Sequence, residues 1–179
     1  MRKSYIAVAA IIVLAATALL AVSLAGAKRT PTVRQLQQVK AATARYHSVE
    51  QARKNGYTTE NEPCVQAPPP PGLSGAMGIH AVNPALISDD AIDPLRPELL
   101  LYLPRANGKL KLVGVEYFKV DADQNLETDG DRPSIFGQPF DGPMPGHTPT
   151  MPIHYDLHVW FWADNPAGMF APFNPALSC

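Results

Sequence analysis

The sequence lacks the motifs of several large functional classes. It contains no G-x-S-x-G nucleophile motif, no P-loop, no G-x-G-x-x-G dinucleotide fingerprint and no H-E-x-x-H zinc motif. Basic residues form no patch or run, and the formal net charge of the 179 residues is −1. Because a protein that binds nucleic acid needs a basic surface to meet the phosphates, the composition argues against a nucleic-acid partner.

Charged residues are absent between Ser4 and Ala27. This apolar stretch follows Arg2 and Lys3 and ends in small residues at positions 25–27 (AGA). A basic start, an apolar centre and a small-x-small end are typical of a cleaved secretory signal. We therefore predict a signal peptide over residues 1–27 and a single extracytoplasmic domain over residues 28–179, secreted or periplasmic. The alternative is an uncleaved membrane anchor, since 24 uncharged residues can span a bilayer.

Cysteine is scarce, with only Cys64 and Cys179 in the chain. Neither lies in a nucleophile motif, so cysteine-based catalysis is not indicated. An even pair in an exported protein predicts one disulfide, and the alternative is two free thiols. The bridge would close a loop of about 115 residues and would stabilise the fold by on the order of 4–5 kcal/mol in the chain-entropy model.

One segment has the pattern of a long helix. Between residues 31 and 55, apolar residues recur at spacings of three and four, and the pair Asn55-Gly56 provides a left-handed stop. The stripe consists of Val33, Leu36, Val39, Ala42, Tyr46, Val49 and Ala52. We predict an α+β fold in which one long N-terminal helix packs on a small antiparallel β-sheet.

The rest of the mature chain indicates strands and loops. The candidate strands are residues 77–82, 98–103, 110–120 and 153–162. The pair Asn107-Gly108 favours a tight turn and predicts a hairpin between the second and third candidates. Two proline-rich stretches, 57–75 and 133–152, are predicted to form an extended connector and an ordered irregular loop.

The last candidate strand carries the most information about function. Because side chains alternate between the faces of a strand, its odd-numbered residues from 153 to 161 form a wholly apolar or aromatic face. The even face carries His154, Asp156, His158, Trp160 and Trp162. Two imidazoles and a carboxylate thus point the same way beside two large aromatic rings.

Two further residues complete a candidate metal site. His80 lies in the candidate strand 77–82, and Glu116 interrupts the apolar run 112–118 (LVGVEYF), where a buried acid needs a partner or a metal. We predict that His80, Glu116, His154 and His158 bind a divalent ion such as zinc, iron, manganese or copper. Glu116 would serve as a ligand or as a catalytic general base, and an enzymatic role is left open.

Two other interpretations of these residues compete with the metal site. In a purely structural network, the histidines hydrogen-bond to loops and Glu116 pairs with an arginine such as Arg105 or Arg132. In a non-catalytic binding module, the aromatic strand binds a small molecule or an envelope component, with Asp156 and Trp160 as ligand-binding residues. A membrane partner would follow only from an uncleaved leader.

A sparse cluster of soft donors precedes the last strand. It consists of Met144, His147 and Met151 together with His154. Thioether and imidazole ligands are those that copper favours. The alternative is that the methionines only pack the loop.

Four segments of the chain resemble a group of uncharacterised bacterial exported proteins. They are residues 44–50 (ARYHSVE) with Gly56-Tyr57, 75–83 (GAMGIHAVN), 113–118 (VGVEYF) and 154–160 (HYDLHVW). The resemblance spans nearly the whole mature chain and implies one integral domain outside the cytoplasm. It carries no activity with it.

The signal-peptide assignment predicts a mature N-terminus at Lys28. The intact mass of protein recovered from the periplasm or the culture medium should correspond to residues 28–179 with Cys64 and Cys179 oxidised. A full-length species retained in the membrane fraction would show an anchor instead.

Overall fold

The structure is a computed structural model that describes residues 33–59, 62–67, 74–147 and 151–179. The predicted signal peptide, the first two residues of the predicted helix and the proline run at 68–71 lie outside these ranges. Within the described ranges, no helix is long and apolar enough to cross a bilayer. Signal cleavage and the single-domain assignment therefore stay predictions.

A curled antiparallel sheet of six strands dominates the fold. Its strand order is β1-β2-β3-β4-β8-β7. The first four strands are neighbours in chain order, whereas β8 lies between β4 and the edge strand β7. The bounds are β1 (Cys64–Gln66), β2 (Ala76–Val82), β3 (Leu99–Pro104), β4 (Leu110–Val120), β7 (Asp141–Met144) and β8 (His154–Val159). Two short strands, β5 (Ser134–Ile135) and β6 (Gln138–Pro139), pair separately.

The predicted α+β fold with one long helix is wrong. The segment divides into α1 (Val33–Thr43), a 3₁₀ turn (Ala44–His47) and α2 (Val49–Lys54), and a third short helix, α3 (Pro84–Ser88), follows β2. Ser48 is extended (φ −90°, ψ 111°) and its hydroxyl accepts a hydrogen bond from the backbone N–H of Gln51. Ser48 thus caps the start of α2 and interrupts the predicted long helix. The apolar spacing of three and four residues does not reveal this interruption.

The strand predictions are closer to the structure. β2, β3 and β4 match the predicted ranges to within one residue, and the predicted hairpin joins β3 to β4 through Gly108, whose φ is +74°. β8 is shorter than the predicted strand 153–162. The prediction of an irregular loop at 133–152 is wrong in part, because β5, β6 and β7 lie there and β7 forms the edge of the sheet.

Both faces of the sheet are buried. One face carries Tyr102, Tyr117 and Tyr155, which join the main hydrophobic cluster together with Val39 and Tyr46 from the N-terminal helices. The opposite face carries a smaller cluster of Leu101, Leu103, Val113 and Trp160, against which the C-terminal segment packs. The even face of β8 is therefore not a solvent face, and its polar side chains lie inside the protein.

The predicted disulfide between Cys64 and Cys179 is confirmed, with the two Cα atoms 5.8 Å apart. It joins β1, at one edge of the sheet, to the end of the chain. The backbone N–H of Cys179 also donates to Gln66 Oε1 (2.9 Å), and Asn174 pairs with Ala76 through two backbone hydrogen bonds. These contacts hold the C-terminal segment against the sheet.

A buried acid lies just before β3. Glu98 is 1 % exposed, and its Oε2 accepts a hydrogen bond from the backbone N–H of Phe118 (3.2 Å). Burial raises the pKa of Glu98 to about 7, because water no longer solvates its charged form.

We predict that Glu98 makes the fold less stable as the pH rises. A carboxyl group with a raised folded-state pKa favours folding while it is protonated, so its contribution is full below about pH 4.5 and is lost through about pH 7. The loss should be about 3.5 kcal/mol, since each unit of pKa shift corresponds to about 1.4 kcal/mol. In Glu98→Gln, the free energy of unfolding measured with urea should fall less between pH 5 and pH 8 than in the parent.

The exposed Glu127 provides a matched control. Glu127→Gln should retain the whole decrease between pH 5 and pH 8. Equal decreases in the parent, Glu98→Gln and Glu127→Gln would show that Glu98 does not cause it.

Candidate metal centre

The register of three strands places His80, Glu116 and His158 together. Glu116 on β4 is the Cα partner of Leu99 on β3 and of His158 on β8. His80 on β2 pairs with Leu101, two residues along β3 from Leu99. Since directly opposed residues share a face, all three polar side chains lie on the face that carries the smaller cluster.

Glu116 occupies the middle of this group. Its Oε2 lies 3.1 Å from His80 Nε2 and 3.6 Å from His158 Nε2. One ligand atom from each of the three residues lies within 4.8 Å of the others. The structure thus contains a buried His80/Glu116/His158 group that could hold a metal ion.

The group is shielded from water and poorly satisfied by protein hydrogen bonds. The side chains of His80, Glu116 and His158 are 11 %, 5 % and 0 % exposed. Glu116 Oε2 and both ring nitrogens of His158 are buried and make no hydrogen bond of acceptable geometry. Such atoms are costly in a folded protein unless something else binds them.

The carboxylate of Glu116 and the imidazole of His158 shift one another's pKa values toward the charged forms. Burial alone would raise the pKa of Glu116, but His158 and His80 lower it to about 2. Burial alone would lower the pKa of His158, but Glu116 and then Asp156 raise it to about 9. In this arrangement a proton on His158 balances the carboxylates, and a metal cation between the same groups would take over that role.

Asp156 stands beside His158 on β8. Its Oδ1 lies 3.6 Å from His158 Nδ1, on the side of the ring away from Glu116, and its side chain is 1 % exposed. At 3.6 Å the carboxylate makes no hydrogen bond to the ring, but a small movement would let Nδ1–H donate to it and leave Nε2 free for a ligand. The residue predicted to bind a ligand directly is thus better placed to orient His158.

The structure places His154 apart from the group. It lies at the start of β8, four residues from His158, so about 13 Å of extended strand separates their Cα atoms. Its Nδ1 lies 3.1 Å from the carbonyl oxygen of Pro152, and its ring stacks on Phe118 at 4.8 Å. Burial lowers the pKa of His154, which favours the neutral imidazole.

One aromatic residue predicted to bind a ligand, Trp160, lies inside the protein. Trp160 is 3 % exposed, packs in the smaller cluster, and donates its indole N–H to the carbonyl oxygen of Ala171 (2.7 Å). The predicted arginine partners of Glu116 are also placed elsewhere, since Arg105 is exposed and Arg132 bonds to Asp129 and Phe140. The groups that face Glu116 are histidines.

Sequence reasoning missed Asp141, which is the Cα partner of Asp156 across β7 and β8. It adds a second carboxylate at the sheet edge next to the one that faces His158. No strand signal marks it, because Gly142 and Pro143 follow directly and both residue types are depleted in strands.

Comparisons of the chain with protein-family models, with curated proteins and with solved structures found no match. The resemblance to exported bacterial proteins therefore stays a prediction. The case for function rests on the geometry of His80, Glu116 and His158.

Proposed function

We propose that this protein is an exported metal-binding domain in which His80, Glu116 and His158 hold one divalent ion. The observation that supports this most directly is the convergence of two imidazoles and a carboxylate, in which Glu116 Oε2 and both ring nitrogens of His158 are buried without a hydrogen-bond partner. A bound cation would satisfy Glu116 Oε2 and His158 Nε2 together. It would also give a reason for an acid in the otherwise apolar run 112–118 of β4.

The spacing of the donor atoms supports the proposal. Ligand atoms about 2.0–2.2 Å from a tetrahedral ion lie roughly 3–4 Å from each other. The two distances from Glu116 Oε2, 3.1 and 3.6 Å, fall in that range. The ring centroids of His80 and His158 are 6.1 Å apart, about 1 Å more than two imidazoles on one tetrahedral ion need, so the rings would move slightly closer on binding.

The chemistry of the set limits the choice of metal. Two histidines and one carboxylate suit zinc with a fourth position for water, and the same set serves iron(II). Manganese and copper accept these donors as well. Asp156 would orient His158 for any of them.

The burial of the site favours a resident ion over a centre open to a large substrate. Of the three side chains, His80 is the most exposed, at 11 %. Any reaction at the ion would therefore involve a small molecule that enters beside His80, with Glu116 occupied as a ligand. A catalytic role for Glu116 and an envelope partner remain secondary proposals.

The proposed location of the domain is outside the cytoplasm. The disulfide between Cys64 and Cys179 suits an oxidising compartment, and the predicted signal peptide would deliver the chain there. The domain would then acquire its ion outside the cytoplasm.

We predict that protein purified without a His tag contains close to one divalent ion per chain by elemental analysis. His80→Ala and Glu116→Gln should each weaken Zn²⁺ binding, measured by competition with a chromogenic chelator, by more than about 100-fold. This limit is set by the 10–100-fold loss that follows removal of a residue that merely orients a ligand.

His47 provides the matched control, since it is an exposed histidine on the 3₁₀ turn. His47→Ala should bind Zn²⁺ like the parent. The proposal is overturned if His80→Ala and Glu116→Gln, shown to be folded by circular dichroism, bind Zn²⁺ as tightly as His47→Ala.

A further inference from the structure

The structure leaves His154 with a free donor atom at the opposite end of β8 from the metal centre. His154 is fully buried, and its Nε2 makes no hydrogen bond. Its Nδ1 is directed to the carbonyl oxygen of Pro152, so the proton of the neutral ring belongs on Nδ1 and the lone pair on Nε2. An imidazole held in this way is ready to bind a cation.

We propose that His154 belongs to a second metal site, formed with His147, Met144 and Met151, that binds the soft monovalent ion Cu(I). These residues form the sparse Met/His cluster of the sequence, and the fold brings them to one corner of the sheet. The site is separate from His80, Glu116 and His158 and does not depend on the function proposed for them.

Strand pairing places Met144 beside His154. The two residues are Cα partners across β7 and β8, so their side chains lie on the same face. Met144 is half-buried on the edge strand, and His154 is fully buried on the strand next to it. A thioether and an imidazole thus project from the same face of neighbouring strands at the sheet edge.

The two histidine rings are spaced for one ion. The ring centroids of His147 and His154 are 5.4 Å apart, with an interplanar angle of 86°. An ion about 2.0 Å from each ring nitrogen would lie roughly 3 Å from each centroid, so two ligands in a tetrahedral arrangement have centroids about 5 Å apart. The observed centroid separation is close to this value.

A close backbone approach brings Met151 to His147. A Cβ atom added to Gly146 would lie 2.0 Å from the carbonyl oxygen of Met151, so only glycine fits there. The contact also places Met151 Sδ 3.3 Å from the backbone N–H of His147. Gly146 therefore lets the backbone next to His147 lie directly against Met151.

The donor set selects the ion. Thioethers prefer Cu(I) to harder divalent ions, and imidazoles accept it. The chain's two cysteines are joined in the disulfide and supply no competing thiolate. The remaining mature methionines are in other surroundings, Met77 in the core and Met169 exposed on the C-terminal segment.

The test uses Cu(I) competition against bicinchoninate, with Zn²⁺ present in excess to occupy the first site. The double variant Met144→Leu/Met151→Leu, which keeps the side-chain volume nearly constant, should bind Cu(I) at least about tenfold more weakly than the parent. Met169→Leu is the matched control and should bind like the parent. The proposal is overturned if the double variant and Met169→Leu bind Cu(I) equally.

A second measurement locates the ion. With methyl-labelled methionine, addition of Ag(I), a redox-inert substitute for Cu(I), should shift the NMR signals of Met144 and Met151 and leave that of Met77 in place. Shifts confined to Met77 or Met169, or no shift at all, would contradict the proposal.

The two sites can be distinguished by testing a variant of each site for binding of both ions. Glu116→Gln should lose Zn²⁺ and keep Cu(I), while His147→Ala should lose Cu(I) and keep Zn²⁺. Loss of Cu(I) binding in Glu116→Gln with retention in His147→Ala would assign the copper to the first site and refute a second one.

Discussion

The register between β4 and β8 is the constraint on which both the core and the site depend. It opposes Glu116 to His158 and, one residue along, Tyr117 to Leu157. Because side chains alternate, a slip of one residue would turn Tyr155, Leu157 and Val159 away from the main cluster and the polar residues into it. The apolar odd residues of β8 thus specify the register, and that register brings His158 opposite Glu116 at the candidate metal centre.

Burying these polar residues costs free energy that their mutual contacts only partly return. Glu116 and His158 are close enough to attract one another, yet desolvation of a buried ion pair often exceeds the Coulombic gain. Leu101 and Trp160 line the same face, so apolar residues could have filled it. A polar group that retains unsatisfied atoms in such surroundings is better explained by a ligand than by stability.

The sequence was informative where one physical signal acted alone. Alternation in residues 153–162 identified the two faces of β8, and Asn107-Gly108 identified the hairpin, because both signals are local. The helix prediction failed at Ser48, where a side-chain cap competes with an uninterrupted apolar spacing. His80 and Glu116 could be selected by residue type, but their approach to His158 depends on the strand order, which the sequence does not reveal. The predicted site also includes His154, because alternation shows that His154 and His158 share a face. Alternation does not show that they are too far apart along the strand to share an ion.

The two ends of β8 have different chemical surroundings. Each end has a histidine from the same face, and its neighbours decide what that histidine can bind. His158 lies beside the carboxylates of Glu116 and Asp156, which suit a divalent ion, whereas His154 is the Cα partner of Met144, a thioether residue on the edge strand. Because about 13 Å of strand separates the two histidines, one ion cannot use both. If both ends bind ions as proposed, selectivity between them follows from what β4 and β7 place opposite β8, and not from the histidines themselves.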